Sequence, residues 1–242
     1  MAKNGILGIA GLILMAASLL FLWFIVLSGL TSHTTPFSDT YFLRADTSGI
    51  TGARDTTQWT YLYFCGEGNK DCSKARPAPA FGKAWSSNAD SAPASLIGSH
   101  GGDTTSSRFF YLWRFGWVII LITLFFETLA FFSAFLACCG RLGAAISGSG
   151  SAVALFFHSV GSALTTATFV LARDAFHSDN RGASLGRYAF GFLWASWVGL
   201  FVATLLFCMG VRKDRGPSPS TQRRRSVRST SYNGRRVKEE YA

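Results

Sequence analysis

The chain has no Asn-x-Ser/Thr sequon, no glycine-rich phosphate loop and no His-Glu-x-x-His pair. The last two absences remove the phosphate cradle and the zinc-hydrolase helix that those patterns would supply. The first leaves glycosylation silent about which face of a membrane any segment occupies. Asp174 and His177 share a short polar stretch, but no serine or cysteine nucleophile stands with them in a recognisable turn. The long apolar runs hold no repeated carboxylates, and the broken helices or rows of polar residues that mark a pore are missing. No catalytic residue, metal site or cofactor is therefore assigned. Cysteine is scarce, with 5 in the chain, and 13 acidic residues face 23 basic ones.

What is abundant is apolar, at 49% hydrophobic residues with 22 Phe and 7 Trp, and it comes in blocks. About 20 apolar residues at a 1.5 Å rise cross a ~30 Å hydrocarbon core, so each block reads as a membrane span. The first run, 6–30, has no charge. A signal peptide has an apolar core of only about 7–15 residues, so a retained span is expected. Gly5, Gly8 and Gly11 share one helical face there, spaced for a close helix approach. Further spans are expected at 109–139, 149–172 and 188–210. Trp113, Arg114 and Trp117 suggest an interfacial belt with a snorkelling arginine. The third span is rich in Ala, Ser and Thr, as suits a bundle interior. Between the first two lies a polar segment, 31–108, with short β-prone pieces near 57–64 that predict a small strand pair. Its later part, 86–107, reads as flexible loop. A second polar loop occupies 173–187. The fold class expected is an all-α membrane protein, a four-helix bundle with a large first loop carrying a small β-sheet ectodomain.

Four spans put both termini on one side, and positive charge in short flanks decides which. The tail, 211–242, holds ten basic and three acidic residues. It is expected to be cytoplasmic and without structure in isolation, which places loop 31–108 outside. Arg212, Lys213, Arg215, Arg223, Arg224, Arg225, Arg228, Arg235 and Arg236 would then face anionic inner-leaflet lipid, at roughly 1 kcal/mol per residue near the surface. With a polyanionic surface already beside it, the tail calls for no nucleic-acid partner. Ser218 precedes Pro219 and Ser226 follows three arginines, so both are candidate phosphorylation sites that would weaken lipid attraction. The plainer alternative is a solvated tail whose charge only fixes topology.

Cys65 and Cys72 fall in the outer loop, where oxidation is favoured, and a disulfide between them is expected. Free thiols are one alternative; a metal is another, but it needs two more ligands and the loop offers only the distant His33 and His100. Cys138, Cys139 and Cys208 lie near span ends, where a cysteine can accept palmitate or serve as a small apolar residue. Glu127 and His158 are ionisable groups deep in their spans, so each should face the bundle interior. The expectation is a hydrogen bond between them across the second and third helices. A proton or ion path is the functional alternative.

The most distinctive stretch is 58–81. Trp59, Tyr61, Tyr63 and Phe64 cluster before Cys65 and Cys72, and Lys74, Ala75, Arg76, Pro77, Ala78, Pro79, Ala80 and Phe81 follow. With the span order over 6–210, this wording resembles the fungal Sur-seven/PalI family of claudin-like four-span proteins. Animal claudins carry a tryptophan separated by two residues from the first cysteine. Here that position is Leu62, and no tryptophan lies between 31 and 58, a departure that fits the fungal branch. The resemblance implies a multi-pass protein of plasma-membrane microdomains (eisosomes), tied to membrane organisation, endocytosis and cell-wall integrity. It implies partners among cortical membrane proteins, copies of itself or wall material. A second branch assists ambient-pH signalling.

Overall fold

The computed structural model describes residues 2–30, 36–87, 89, 91–137 and 141–213. Four helices carry the chain: α1 (Ala2–Val26), α2 (Ser107–Ala137), α3 (Arg141–Ser178) and α4 (Arg187–Lys213). All four are long and apolar enough to cross a membrane, over Leu7–Val26, Ser107–Phe135, Ala145–Ser178 and Arg187–Met209. Uninterrupted apolar sequence without proline lets each helix satisfy its own backbone, the condition for lying in lipid. Large side chains such as Ile13, Phe115, Phe125, Phe132 and Phe156 stay exposed on the outside of the bundle, the surface that acyl chains cover.

Inside, small residues set how closely the helices approach. A Cβ added at Gly161 would meet Ile119 and Ile120, one at Gly116 would meet Thr165, and one at Gly150 would meet Ala130. These pairs lock α2 and α3 into one antiparallel register. On the other side, Gly11 lies under the Phe207 ring and Gly199 under Ser18, which seats α1 on α4. Gly8 has nothing within 4 Å of that hypothetical Cβ, so of the glycines that share this face Gly11, not Gly8, makes the close approach.

The segments joining the helices at one end build a head. Its sheet is antiparallel, in the order β3-β2-β1-β4, from β1 (Leu43–Asp46), β2 (Thr56–Trp59), β3 (Phe64–Cys65) and β4 (Ala183–Leu185). The register sets Leu43 opposite Trp59 on one side and opposite Leu185 on the other. The expected strand pair is thus half of a four-stranded sheet, because the short second loop supplies the outer strand beside β1. Three sequence readings change with it. Helix α3 runs beyond the expected 149–172, so that Phe176 enters the head core. Among the described residues of 86–107 the chain is packed, not loose: Leu96 and Thr105 are fully buried and Thr105 bridges to Ser99 and His100. Trp113 is no interfacial residue, for it is buried at 4.8 Å from the Phe169 ring. Arg114 does stay exposed, its guanidinium 4.5 Å from the Phe110 ring centre.

Candidate functional site

The head is built around Trp59, at the end of β2. Its ring packs against Phe81 and Phe176 at 5.8 Å and edge-on to Trp85 at 6.4 Å, and its Nε1 donates to the Phe81 carbonyl at 3.4 Å. Tyr61 ties this core to the bundle. Its hydroxyl donates to the Trp117 carbonyl at 2.7 Å, and Trp117 Nε1 donates back to the Tyr61 carbonyl at 3.1 Å. The two rings stack at 5.4 Å. Burial pushes the Tyr61 phenol well above its ordinary range, because the phenolate would lose its water. Tyr63 and Phe64 are half-buried at the sheet edge. Tyr63 lies against Gly29, whose φ of +81° and crowded surroundings leave no room for a side chain. The four aromatics expected to act together thus divide into two core residues and two edge residues.

Cys65 and Cys72 form a disulfide. The ring it closes contains a residue that the sequence reading passed over, Asn69. This asparagine sits at φ +51° and is buried, a left-handed position that asparagine tolerates better than most residues. Its Nδ2 donates to the Phe37 carbonyl at 2.7 Å and the Thr40 carbonyl at 3.0 Å, while its backbone N–H donates to Gln58 Oε1 at 3.0 Å. The disulfide ring is therefore bolted to the chain entering β1. The signal available in sequence was an asparagine inside a short cystine ring, with a glutamine beside the signature tryptophan.

Arg181, in the second loop, also escaped notice. Its guanidinium donates to the Ser48 carbonyl at 2.8 Å and the Ser91 carbonyl at 3.0 Å, and it pairs with Asp179. Asp46 closes the turn after β1, accepting from the Ser48 hydroxyl at 2.6 Å and its N–H at 2.9 Å. Those bonds hold its carboxyl below the usual range. Among the described residues no group of three His, Cys, Asp or Glu is placed to hold a metal. His100 instead lies 5.4 Å from the rings of Phe110 and Tyr111.

A second cluster lies inside the bundle. Glu127 and His158 are both fully buried, as their cost in lipid requires, but they do not hydrogen-bond each other. His158 Nε2 meets Ser196 Oγ of α4 at 3.2 Å, and neither carboxyl oxygen of Glu127 has a partner. The register explains the correction. With Gly161 against Ile120 and Gly150 against Ala130, Glu127 stands level with about Ala154, one helical turn from His158. Ser18 of α1 completes the layer by donating to the Ser196 carbonyl at 2.8 Å.

The profile of the SUR7/PalI family matches residues 7–206, which takes in the first three spans, the head and most of the fourth span. The chain belongs to the SUR7/PalI family. It is 34% identical over 208 residues to a SUR7 family protein of Saccharomyces cerevisiae, covering 80% of this chain and 65% of that relative. It is 31% identical over 203 residues to Protein SUR7 of Candida albicans, covering 82% and 72%. An uncharacterized plasma membrane protein of Saccharomyces cerevisiae is 31% identical over 201 residues, covering 81% and 64%. The chain thus spans slightly under two thirds of the length of two of these three relatives. Four spans with an antiparallel four-stranded sheet at one end make this SUR7/PalI chain a claudin-like four-span protein. Of the other candidate residues in this family member, Cys208 is a free, exposed cysteine on α4. Arg212 and Lys213 end that helix. Cys138, Cys139, Arg215, Ser218, Arg223, Arg224, Arg225, Ser226, Arg228, Arg235, Arg236 and His33 lie outside the described residues.

Proposed function

We propose that this SUR7/PalI protein organises a lateral domain of the plasma membrane, with its head outside the cell and both termini in the cytoplasm. The observation that carries the reading is where the signature residues go. Trp59, Tyr61 and Cys65 are buried as the frame of a head seated directly on the spans, so the head offers a fixed surface built on a filled core. A rigid surface fused to four spans suits lateral assembly: it presents the same face to wall material, to neighbouring cortical proteins or to further copies of the chain. A relative carrying the words plasma membrane in its name supports the compartment. The arginine-rich stretch 211–242 supports the sidedness, since positive flanks stay cytoplasmic, and it would bind anionic inner-leaflet lipid. Roles in endocytosis and cell-wall integrity belong to the same proposal, as consequences of holding a membrane patch in place.

Imaging of the fluorescently tagged protein at its native level tests this. Stable cortical patches, recovering slowly after bleaching, are expected. A diffuse, freely exchanging signal together with loss of the alkaline response on deletion would replace this reading with the family's ambient-pH role.

A further inference from the structure

The lipid-facing stripe of α2 ends in a charge. Val118, Phe125, Leu129 and Phe132 run along it, large and exposed, and the helical repeat sets Arg114 and Tyr111 on the same face above them. About 20 residues cross the hydrocarbon core. Counted from Phe135, the end of the apolar stretch far from the head, they bring its head-side edge to about Phe115. Arg114 therefore stands where the headgroup layer begins, exposed, with its stem along the apolar stripe. Its guanidinium lies 4.5 Å from the Phe110 ring centre, a contact that holds the planar fork in one place.

A second cation is fastened above it. His100 packs at 5.4 Å against both Phe110 and Tyr111, and these contacts leave at most about 10 Å between its ring and the Arg114 guanidinium. The ring carries with it the turn Gly101, Gly102 and Asp103, all at positive φ. Over that turn lies the half-buried Lys83, whose Nζ would meet a Cβ added at Gly102 at 2.7 Å. Among the described residues the ion pairs are Arg44 with Glu67, Arg173 with Asp174 and Arg181 with Asp179. Neither Arg114 nor Lys83 is in one, and nor is Asp103, the exposed acidic residue of the turn.

We propose that Arg114, with Lys83 above it, binds the headgroup of an anionic phospholipid in the leaflet on the head side. The acyl chains lie along Phe115, Val118 and Phe125. The guanidinium fork takes the phosphate oxygens, and the Lys83 ammonium adds a point charge toward the distal part of the headgroup. Cations without a partner in the protein favour net negative charge over a zwitterionic headgroup, whose own ammonium would meet them. The arginine-rich tail follows the opposite end of α4, so this site is separate from it and does not depend on which side of the cell the head faces.

Photo-crosslinking of the full-length protein in phosphatidylcholine bilayers tests the site, using trace phosphatidylinositol or trace phosphatidylcholine with a photoreactive group on the acyl chain. Peptide mapping reads the adducts on 108–118. The phosphatidylinositol probe should label this segment at least about fivefold more than the phosphatidylcholine probe, the factor expected of one cation near a membrane surface. Equal labelling by the two probes in the wild type overturns the proposal, and that reading needs no variant to fold. In the double variant Arg114→Gln and Lys83→Gln the ratio should fall to about one. A preference for phosphatidylinositol on 108–118 that survives in the double variant would show that other groups hold the headgroup and overturn the site as drawn.

Discussion

The head and the buried layer of the bundle differ in how far their polar groups are satisfied, since among the described residues only the layer leaves a buried carboxyl with neither oxygen partnered. In the head, the side chains that join its parts find partners for their donors: Trp59 and Tyr61 donate to carbonyls, Asn69 gathers two more, and Arg181 another two, while Asn69 Oδ1, His100 Nδ1 and Ser106 Oγ stay unpartnered. In the bundle, Glu127, His158, Ser162 and Thr165 each leave at least one atom unpartnered. The head is arranged for rigidity, since satisfied networks specify one structure. The layer keeps groups that a purely structural core would replace with leucine. Features that lower stability and are not balanced locally are where function is expected.

Substitutions can break or sharpen that contrast. The largest effect is expected in the head, where Trp59→Ala should cost about 3–5 kcal/mol as a buried aromatic truncation, read as a lowered thermal midpoint in detergent and failed delivery to the cell surface. Next comes Cys72→Ser, which should cost about 2–3 kcal/mol by freeing a small ring in the unfolded chain; thermal melts of this variant should no longer respond to reductant, while the wild type does. Glu127→Leu should move the other way, gaining about 1–3 kcal/mol as unpartnered polar atoms leave the core. A loss of stability there would place the layer in the same class as the head. Arg181→Ala should cost about 1 kcal/mol, since its charged hydrogen bonds are partly open to solvent, and hydrogen exchange should rise around Ser48 and Ser91. The smallest effect concerns Asp46. Its carboxyl is held below the ordinary value by Ser48, so its contribution is present above about pH 4 and fades as pH falls through the lowered value. Asp46→Asn should flatten that acid slope while changing neutral-pH stability by no more than about 0.5 kcal/mol.

The spans were legible because hydropathy in blocks answers directly to the thickness of a bilayer. The cystine was legible from spacing and sidedness, and Trp59 from its aromatic neighbourhood. What stayed hidden depends on pairings far apart in sequence. Nothing local marks Ala183–Leu185 as a strand, because its reason to extend is β1, 140 residues earlier in the register. Trp113 looked interfacial because tryptophan near a span end often is, and it becomes a core residue through Phe42, Tyr61 and Phe169, all distant in sequence. For Glu127 the sequence supplied burial but not partner. Which helix face meets which was decided by Gly150 and Gly161, whose small size carries no direction until α2 and α3 are set together.

The pairing of β1 with β4 also bears on time. Leu43 leaves the ribosome 142 residues before its partner Leu185. At translation rates of about 5–20 residues per second, that side of β1 waits roughly 7–30 s for its neighbour. During that interval spans two and three must be threaded through the insertion machinery. Throughout, the hydrogen-bonding groups that β4 will take stand open beside a membrane crowded with other nascent chains, the condition under which strand edges find wrong partners. The early closure of β1 onto β2, joined by a loop of nine residues, gives the waiting edge a scaffold. The head is thus begun with the first loop and completed only when the second loop follows the third span.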